Sequence, residues 1–473
     1  MTPPRRLSSP RTICILLRMK LSGVACPDAL TGLSAVAQAR AVRAREVRPR
    51  ELVEASLRRI DEIDPLLNCM RVVRADAALA EADAVEARVR AGEELPLAGV
   101  VTAVKENAAL AGERLQSGTA SPEPRGTHDA EVVRRLRAAG AVVIGTTAMP
   151  ELALWAATES PTWGITRNPH ALDRTPGGSS GGSAVAVAAH LVALAQGDDG
   201  GASIRVPAAC CGLVGLKPQR GRIPTTPHPE RWFGLTHLGF LARDAADAAL
   251  ALHTIGDDLP AFSLAGPLRV AMVLKPPLPV PVSAEAAQVT RATADRLANL
   301  GHRVHEVAAN WGLLGPAILP RYLAGAAQER SWLADPNAVD RRTRSVATWG
   351  ARMPARLLRH ALESEARHRA RLLEMFGDAD VLLTPTTTKP APPAGELLKR
   401  GAVRALVNMS AFIAFTAPWN LTGQPAISVP AGHDHTGVPL GAQLVARPGR
   451  EDVLLYLATQ LEVNKPPKRT HLT

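Results

Sequence analysis

Aromatic residues, cysteines and long apolar runs are all scarce in this chain of 473 residues. Phe, Trp and Tyr amount to 3%, beside heavy use of Ala, Arg and Val, a bias that genome composition produces as readily as function. The five cysteines are Cys14, Cys26, Cys69, Cys210 and Cys211. An odd, sparse set in a long chain excludes a disulfide framework, and no metal-ligand spacing occurs among them. The adjacent Cys210 and Cys211 read as small buried residues, and a reducing cytoplasm is the expected compartment. The thirteen histidines show neither metal nor triad spacing, so no metal and no cofactor is expected. His190, in an Ala-rich apolar segment, reads as a core residue.

No uncharged apolar stretch reaches the ~18 residues that a membrane span needs. The N-terminal run Ile13 to Leu17 is short and is followed by Arg18 and Lys20, unlike a secretory signal. Gly23-Val24-Ala25-Cys26 makes a poor lipoprotein cleavage site. Residues 1–18 are expected to be a disordered extension or to precede the true start, with Met19 the candidate. The formal charge of +11 sits largely at the ends: Arg5, Arg6, Arg11, Arg18, Lys20, Lys465, Lys468 and Arg469 leave +3 on residues 21–464. A nucleic-acid protein concentrates basic residues on a folded face, and no such run exists here. The expected partner is a small molecule, with nucleic acid and membrane excluded and self-association left open.

Apolar residues make up 46% and charged residues 21%, ample for a large core, and length alone allows two or three domains. Leu52, Val53, Leu57, Ile60 and Ile63 fall at helical spacing, in a helix predicted to stop at Pro65. Residues 75–91 read as a second, Ala-rich helix. Leu97 to Val104 reads as a buried strand ending at Lys105. The run "AEVVRRLRAAG" followed by "AVVIGTT" is helix, glycine stop and strand. Residues 183–195, apolar all round, predict a buried helix after a glycine-rich loop. Further strands are expected in "LRVAMVL" and "AISVPA", and the proline-rich stretch 273–283 marks a surface excursion. This alternation indicates an α/β protein.

The segment with most chemistry spans residues 174–218, "RTPGGSSGGSAVAVAAHLVALAQGDDGGASIRVPAACCGLVGLKP". A Gly-Gly-Ser-Ser-Gly-Gly-Ser core leads to a second glycine-rich turn, then Ser-Ile-Arg and Gly-Leu-Lys-Pro. Flanking blocks are "PLAGVVTAVKENAAL", "GTTAMPELA", "GITRNP", "LTGQPAISVP" and "GAQLVARPGRED". This ordered pattern, from about residue 35 to about residue 462, resembles the amidase signature family. The resemblance implies one domain over residues 19–464 with a large mixed β-sheet flanked by helices on both faces, followed by a basic tail at 465–473. It places the family's lysine on Lys105, its bridging serine on Ser179 and its nucleophile on Ser203, with a cis peptide at Gly178–Ser179. Gly200, Gly201 and Ala202 fall on the oxyanion turn, and Asp199 on a position that orients it. The family commonly has a second glycine where this chain has Ala202.

The same chemistry follows from the residue types. Amide hydrolysis at neutral pH wants an activated nucleophile, a base and an oxyanion site. A lysine serves as base only where its ammonium is destabilised, and burial does that. Lys105 follows an apolar run where a solvated lysine is out of place. Glycines before Ser203 let backbone N–H groups converge. Taken singly, Ser179 is an ordinary loop residue, Ser203 a helix cap and Lys105 a strand-end residue reaching for water. Only their joint order and spacing argues for a relay.

Three other readings compete. Gly177-Gly178-Ser179-Ser180-Gly181 fits the Gly-x-Ser-x-Gly elbow, which would make Ser179 the nucleophile and leave Lys105 unexplained. A phosphate cradle lacks Gly-Lys-Ser/Thr and would face Asp198 and Asp199. A non-catalytic homologue, or the glutaminase-type subunit of an amidotransferase, shares these blocks. That subunit typically carries a Ser-Arg-Tyr-Gly stretch where this chain reads "GRIPTTPHPERW". Trp155, Trp163 and Trp232 are candidates for an acyl pocket, with walls expected from 225–235 and 310–350.

Overall fold

Short runs of Val, Leu, Ile and Ala, punctuated by glycine, generate the strands of the sheet. The structure, a computed structural model, describes residues 27–259 and 266–463. The expected extension at 1–18 and the tail at 465–473 lie outside the described residues. Strands β1 (Met70–Val73), β2 (Val101–Lys105) and β3 (Val142–Thr147) come first, then a small pair β4 (Glu159–Ser160) and β5 (Gly164–Ile165). They are followed by β6 (Leu194–Asp199), β7 (Val214–Lys217), β8 (His237–Ala242), β9 (Arg269–Met272) and β10 (Arg303–Glu306). The last are β11 (Val381–Pro385), β12 (Ala426–His433) and β13 (Pro439–Ala446).

All but β4 and β5 join one 11-stranded sheet in the order β1-β3-β2-β6-β8-β7-β12-β13-β11-β9-β10. Pairing is parallel for β3/β2/β6 and for β11/β9/β10, and antiparallel through the centre and at β1. The sheet is therefore mixed. It is also continuous, so the domain count suggested by length gives way to one domain.

Every residue of β2, β3 and β6 is buried, as helices cover both faces. Alternate residues feed opposite cores: Ala103, Val142 and Leu382 face one cluster, Val104, Val143 and Leu383 the other. Helices Pro49–Leu67, Gly181–Ala188 and Arg205–Cys211 contribute to the first core, and Glu131–Ala138, Ala245–Ile255 and Glu451–Val463 to the second.

Two predicted boundaries move. The helix expected to stop at Pro65 runs to Leu67, because a proline in the last turn forfeits only one backbone bond and Asn68, in the left-handed conformation, closes the end. The helix expected over 183–195 is instead Gly181–Ala188 followed by β6. Apolar residues on every side suit a doubly covered strand as well as a buried helix, and periodicity alone does not separate them. His190 falls past the helix end, half-buried, with φ 58°.

Candidate active site

Adjacent parallel strands end side by side, and that places the chemistry. Lys105 is the last residue of β2, and Asp198 and Asp199 are the last two of β6. Thr102 and Ala103 pair with Leu194 and Ala195, so both strands deliver their C-terminal residues to one edge. Opposite them a glycine-rich loop carries Ser179. Its peptide bond from Gly178 is cis. The glycines here answer to space: a Cβ on Gly178 would lie 2.7 Å from Trp155 O, and Cβ atoms on Gly181 and Gly182 would collide with the Thr158 side chain and the Ala148 backbone.

Lys105 is fully buried, and its Nζ donates to Ser179 Oγ at 2.6 Å. Its other partner is the Asp198 carboxylate, with which it forms an ion pair. The Lys105 backbone N–H donates to Gln196 Oε1 at 3.1 Å. Burial lowers the Lys105 ammonium below its usual range, Asp198 opposes this, and Arg231 adds to it. The other oxygen of Asp198 accepts from Asn107 Nδ2 at 2.6 Å and lies 3.8 Å from Arg231 Nη1.

The turn Gly200–Ile204 holds Ser203 opposite this pair. The Ser180 backbone N–H donates to Ser203 O at 3.1 Å, and Ser180 Oγ donates to Asp198 O at 3.1 Å, so the two loops are stapled together. Ser179, Gly200, Gly201, Ala202 and Ser203 all line one cleft. No side-chain hydrogen bond joins Ser203 to Ser179, and contacts of this kind often tighten only in the complex with substrate. Among the described residues, the backbone N–H groups of Gly200, Gly201 and Ala202 form no hydrogen bond. None of these three residues has positive φ, so Ala202 sits there without backbone strain. The glycines are not needed for the left-handed conformation either. A Cβ on Gly201 would have Ile413 Cδ1 as its nearest neighbour at 3.8 Å, so glycine leaves room rather than freedom.

Asp199 turns the other way from Asp198 and accepts from Arg205 Nε and Nη2, both at 2.9 Å, and from the Ile204 backbone N–H at 3.2 Å. Asn420 Nδ2 donates to Asp199 O and Oδ1, and Arg205 Nη1 reaches Gln443 Oε1 at 2.7 Å. This network braces the turn. Sequence reasoning does not single out Asn107, Arg231 or Asn420, and it marks Asp198 only as an acid before the turn. The available signal was its doubling with Asp199 at the end of an apolar strand, where one acid would suffice for the turn.

Of the three tryptophans, Trp155 and Trp232 line the cleft, with Leu154, Tyr322, Met409 and Ile413. Trp232 and Tyr322 pack with ring centroids 5.0 Å apart, so segments 225–235 and 310–350 each supply a wall. Trp163 lies elsewhere, under the Arg71 guanidinium at 3.0 Å. Among the described residues no histidine lines the cleft, so none of them offers the elbow reading of Ser179 an imidazole partner. Among the described residues, no group of His, Cys, Asp and Glu could hold a metal ion, and no helix is long and apolar enough to cross a membrane.

The family model described as Amidase matches residues 51–455. The Mycobacterium tuberculosis protein named "Putative amidase AmiB2" is 43% identical over 452 residues, covering 93% of this chain and 98% of that one. The solved structure of 6-aminohexanoate cyclic dimer hydrolase superposes with a TM-score of 0.84 at 30% identity, over 92% of this chain and 97% of that chain. The glutamyl-tRNA(Gln) amidotransferase protein solved from Thermotoga maritima gives 0.75 at 26% identity, over 93% and 96%. Sequence, sheet and loop architecture agree, and the chain belongs to the amidase family of hydrolases acting on amide C–N bonds.

Proposed function

We propose that the chain hydrolyses a carboxylic amide to the acid and an amine or ammonia through an acyl-enzyme on Ser203. The observation that carries this reading is the 2.6 Å contact of buried Lys105 Nζ with Ser179 Oγ, in a cleft that Ser203 also lines. Neutral Lys105 takes the Ser179 proton while Ser179 takes that of Ser203, and Ser203 Oγ bonds to the carbonyl carbon. The N–H groups of Gly200, Gly201 and Ala202 face the developing oxyanion. The proton returns through Ser179 to the leaving nitrogen as the C–N bond breaks. Water then cleaves the ester by the reverse relay.

The mainly apolar wall of the cleft supports a substrate with a compact apolar acyl group, and it speaks against a glutamine side chain and hence against the amidotransferase reading. Cys69, Cys210 and Cys211 are free and buried, which fits a reducing cytoplasm.

The test is a panel of aliphatic, aryl and peptide amides with a serine-directed phosphonate as label. Mass spectrometry is expected to find the adduct on Ser203, with Ser203→Ala losing both label and turnover. An adduct on Ser179 would overturn the mechanism.

A further inference from the structure

We infer that Asp198 is a positioning residue for this reaction, the counter-ion that aims Lys105 at Ser179 and governs when Lys105 can accept a proton. The inference rests on the reading of Lys105 as the base. Successive residues of a strand face opposite sides, so the two acids closing β6 cannot serve one purpose. Asp199 braces the turn through Arg205 and Asn420. Asp198 faces the lysine instead.

The charged groups whose fields reach Lys105 are Asp198, which faces it, Asp199, which turns to the other side of β6, and Arg231 after β7. Those facing Asp198 are Lys105 and Arg231, with Asn107 as a neutral donor. Arg231 passes on to Glu329, Nη2 to Oε2 at 2.7 Å. Signs thus alternate along Lys105, Asp198, Arg231 and Glu329, and their side chains are 0%, 5%, 11% and 3% exposed. Water and salt screen such a row poorly.

A neutral lysine nitrogen has two N–H bonds and one lone pair. With one N–H spent on Asp198, the lone pair can point at Ser179 Oγ and receive its proton. The ammonium so formed lies beside a carboxylate, which stabilises it. The same carboxylate delays loss of the proton in the resting enzyme. Burial depresses the ammonium, Asp198 holds it up, and Arg231 works against Asp198.

The experiment is the pH profile of turnover on an anilide amide by the full-length protein carrying Asp198→Asn, which keeps an oxygen for Asn107. The alkaline-rising limb is expected to move acidward by roughly one to three pH units. The plateau kcat should fall about tenfold or more with KM within about threefold, since proton transfer and not substrate binding is affected. Asp198→Ser repeats the test if the amide variant does not fold. Arg231→Gln should move the limb the opposite way. A lowered plateau with an unmoved limb would mark Asp198 as merely structural and overturn the inference, and so would an alkaline shift. Failure of the underlying reading has a different signature: Lys105→Met would keep wild-type turnover and the limb itself.

Discussion

Asp199 and Arg205 close a two-point clasp across Gly200–Ile204, Nε to Oδ2 and Nη2 to Oδ1, each at 2.9 Å and both side chains wholly buried. Removing one partner leaves the other charge buried without compensation, which costs about 3–5 kcal/mol. Asp199→Asn is therefore expected to lower unfolding stability by that order at neutral pH. Burial alone would raise this carboxyl, but Arg205 holds it well below the usual range. A depressed carboxylate contributes stability above its unfolded value and loses it as pH falls through the folded one. Denaturant unfolding from pH 7 down to pH 3 should show the gap between wild type and variant closing below pH 4. A constant gap would contradict the assignment.

Ala202 does not have positive φ, and a Cβ on Gly201 would touch only Ile413 Cδ1, at 3.8 Å. Ala202→Gly should keep turnover within about twofold, since glycine relieves no strain there. Gly201→Ala should instead reduce kcat/KM, more for bulky acyl groups than for acetyl amides, because its methyl group approaches Ile413. Equal loss on all acyl groups would point to a disturbed backbone.

Lys105→Ala should cut turnover of anilide amides by about 10²–10⁴, the usual worth of general acid–base catalysis. Activated phenyl esters need less help with their leaving group and should lose far less. The ratio of amide to ester turnover, measured on one preparation, checks this. An unchanged ratio would remove Lys105 from the proton path.

Glu106, beside Lys105 in sequence, accepts from the Gly118 backbone N–H at 3.0 Å and lies 3.5 Å from Arg71. Burial outweighs Arg71 and pushes its carboxyl up to about 7. Between about pH 4.5 and 7 the native state holds a proton that the unfolded chain releases, so stability falls as pH rises through that window. Glu106→Gln should gain up to about 3 kcal/mol relative to wild type on going from pH 4 to pH 8. Parallel unfolding midpoints for the two proteins across that range would exclude it.

A chain beginning at Met19 is expected to keep its specific activity, since residues 1–18 precede the region of resemblance. Loss of activity in a truncated protein that still folds would assign those residues a role.

The residues of the proposed relay were more legible in the sequence than the surroundings that would tune it. Lys105, Ser179 and Ser203 carry order and spacing; Ser179 and Ser203 line one cleft, and buried Lys105 reaches Ser179 from beneath it. The sheet was legible as α/β alternation with a family pattern behind it. Where strand and helix share an all-round apolar signature, as at residues 183–195, neighbours decide, and neighbours are not written locally. Asn107, Arg231, Asn420 and Glu329 carry no sequence signal for the same reason: each acts through a contact made more than ninety residues away along the chain or across loops of no fixed pattern. The glycines before Ser203 drew attention to this turn, and none of Gly200, Gly201 and Ala202 has positive φ.

The parallel β2/β6 pair and the walls of the cleft are built from separate parts of the molecule. Lys105, Asp198 and the Ser203 turn hang from the ends of the buried strands β2 and β6, whereas Trp232, Tyr322, Met409 and Ile413 come from segments outside the sheet. Descendants of this chain can therefore exchange what they recognise while inheriting unaltered the apparatus that cuts. A change at Met409 or Ile413 leaves the charged row untouched, whereas Trp232 and Tyr322 share their segments with Arg231 and Glu329 and so tie recognition to it.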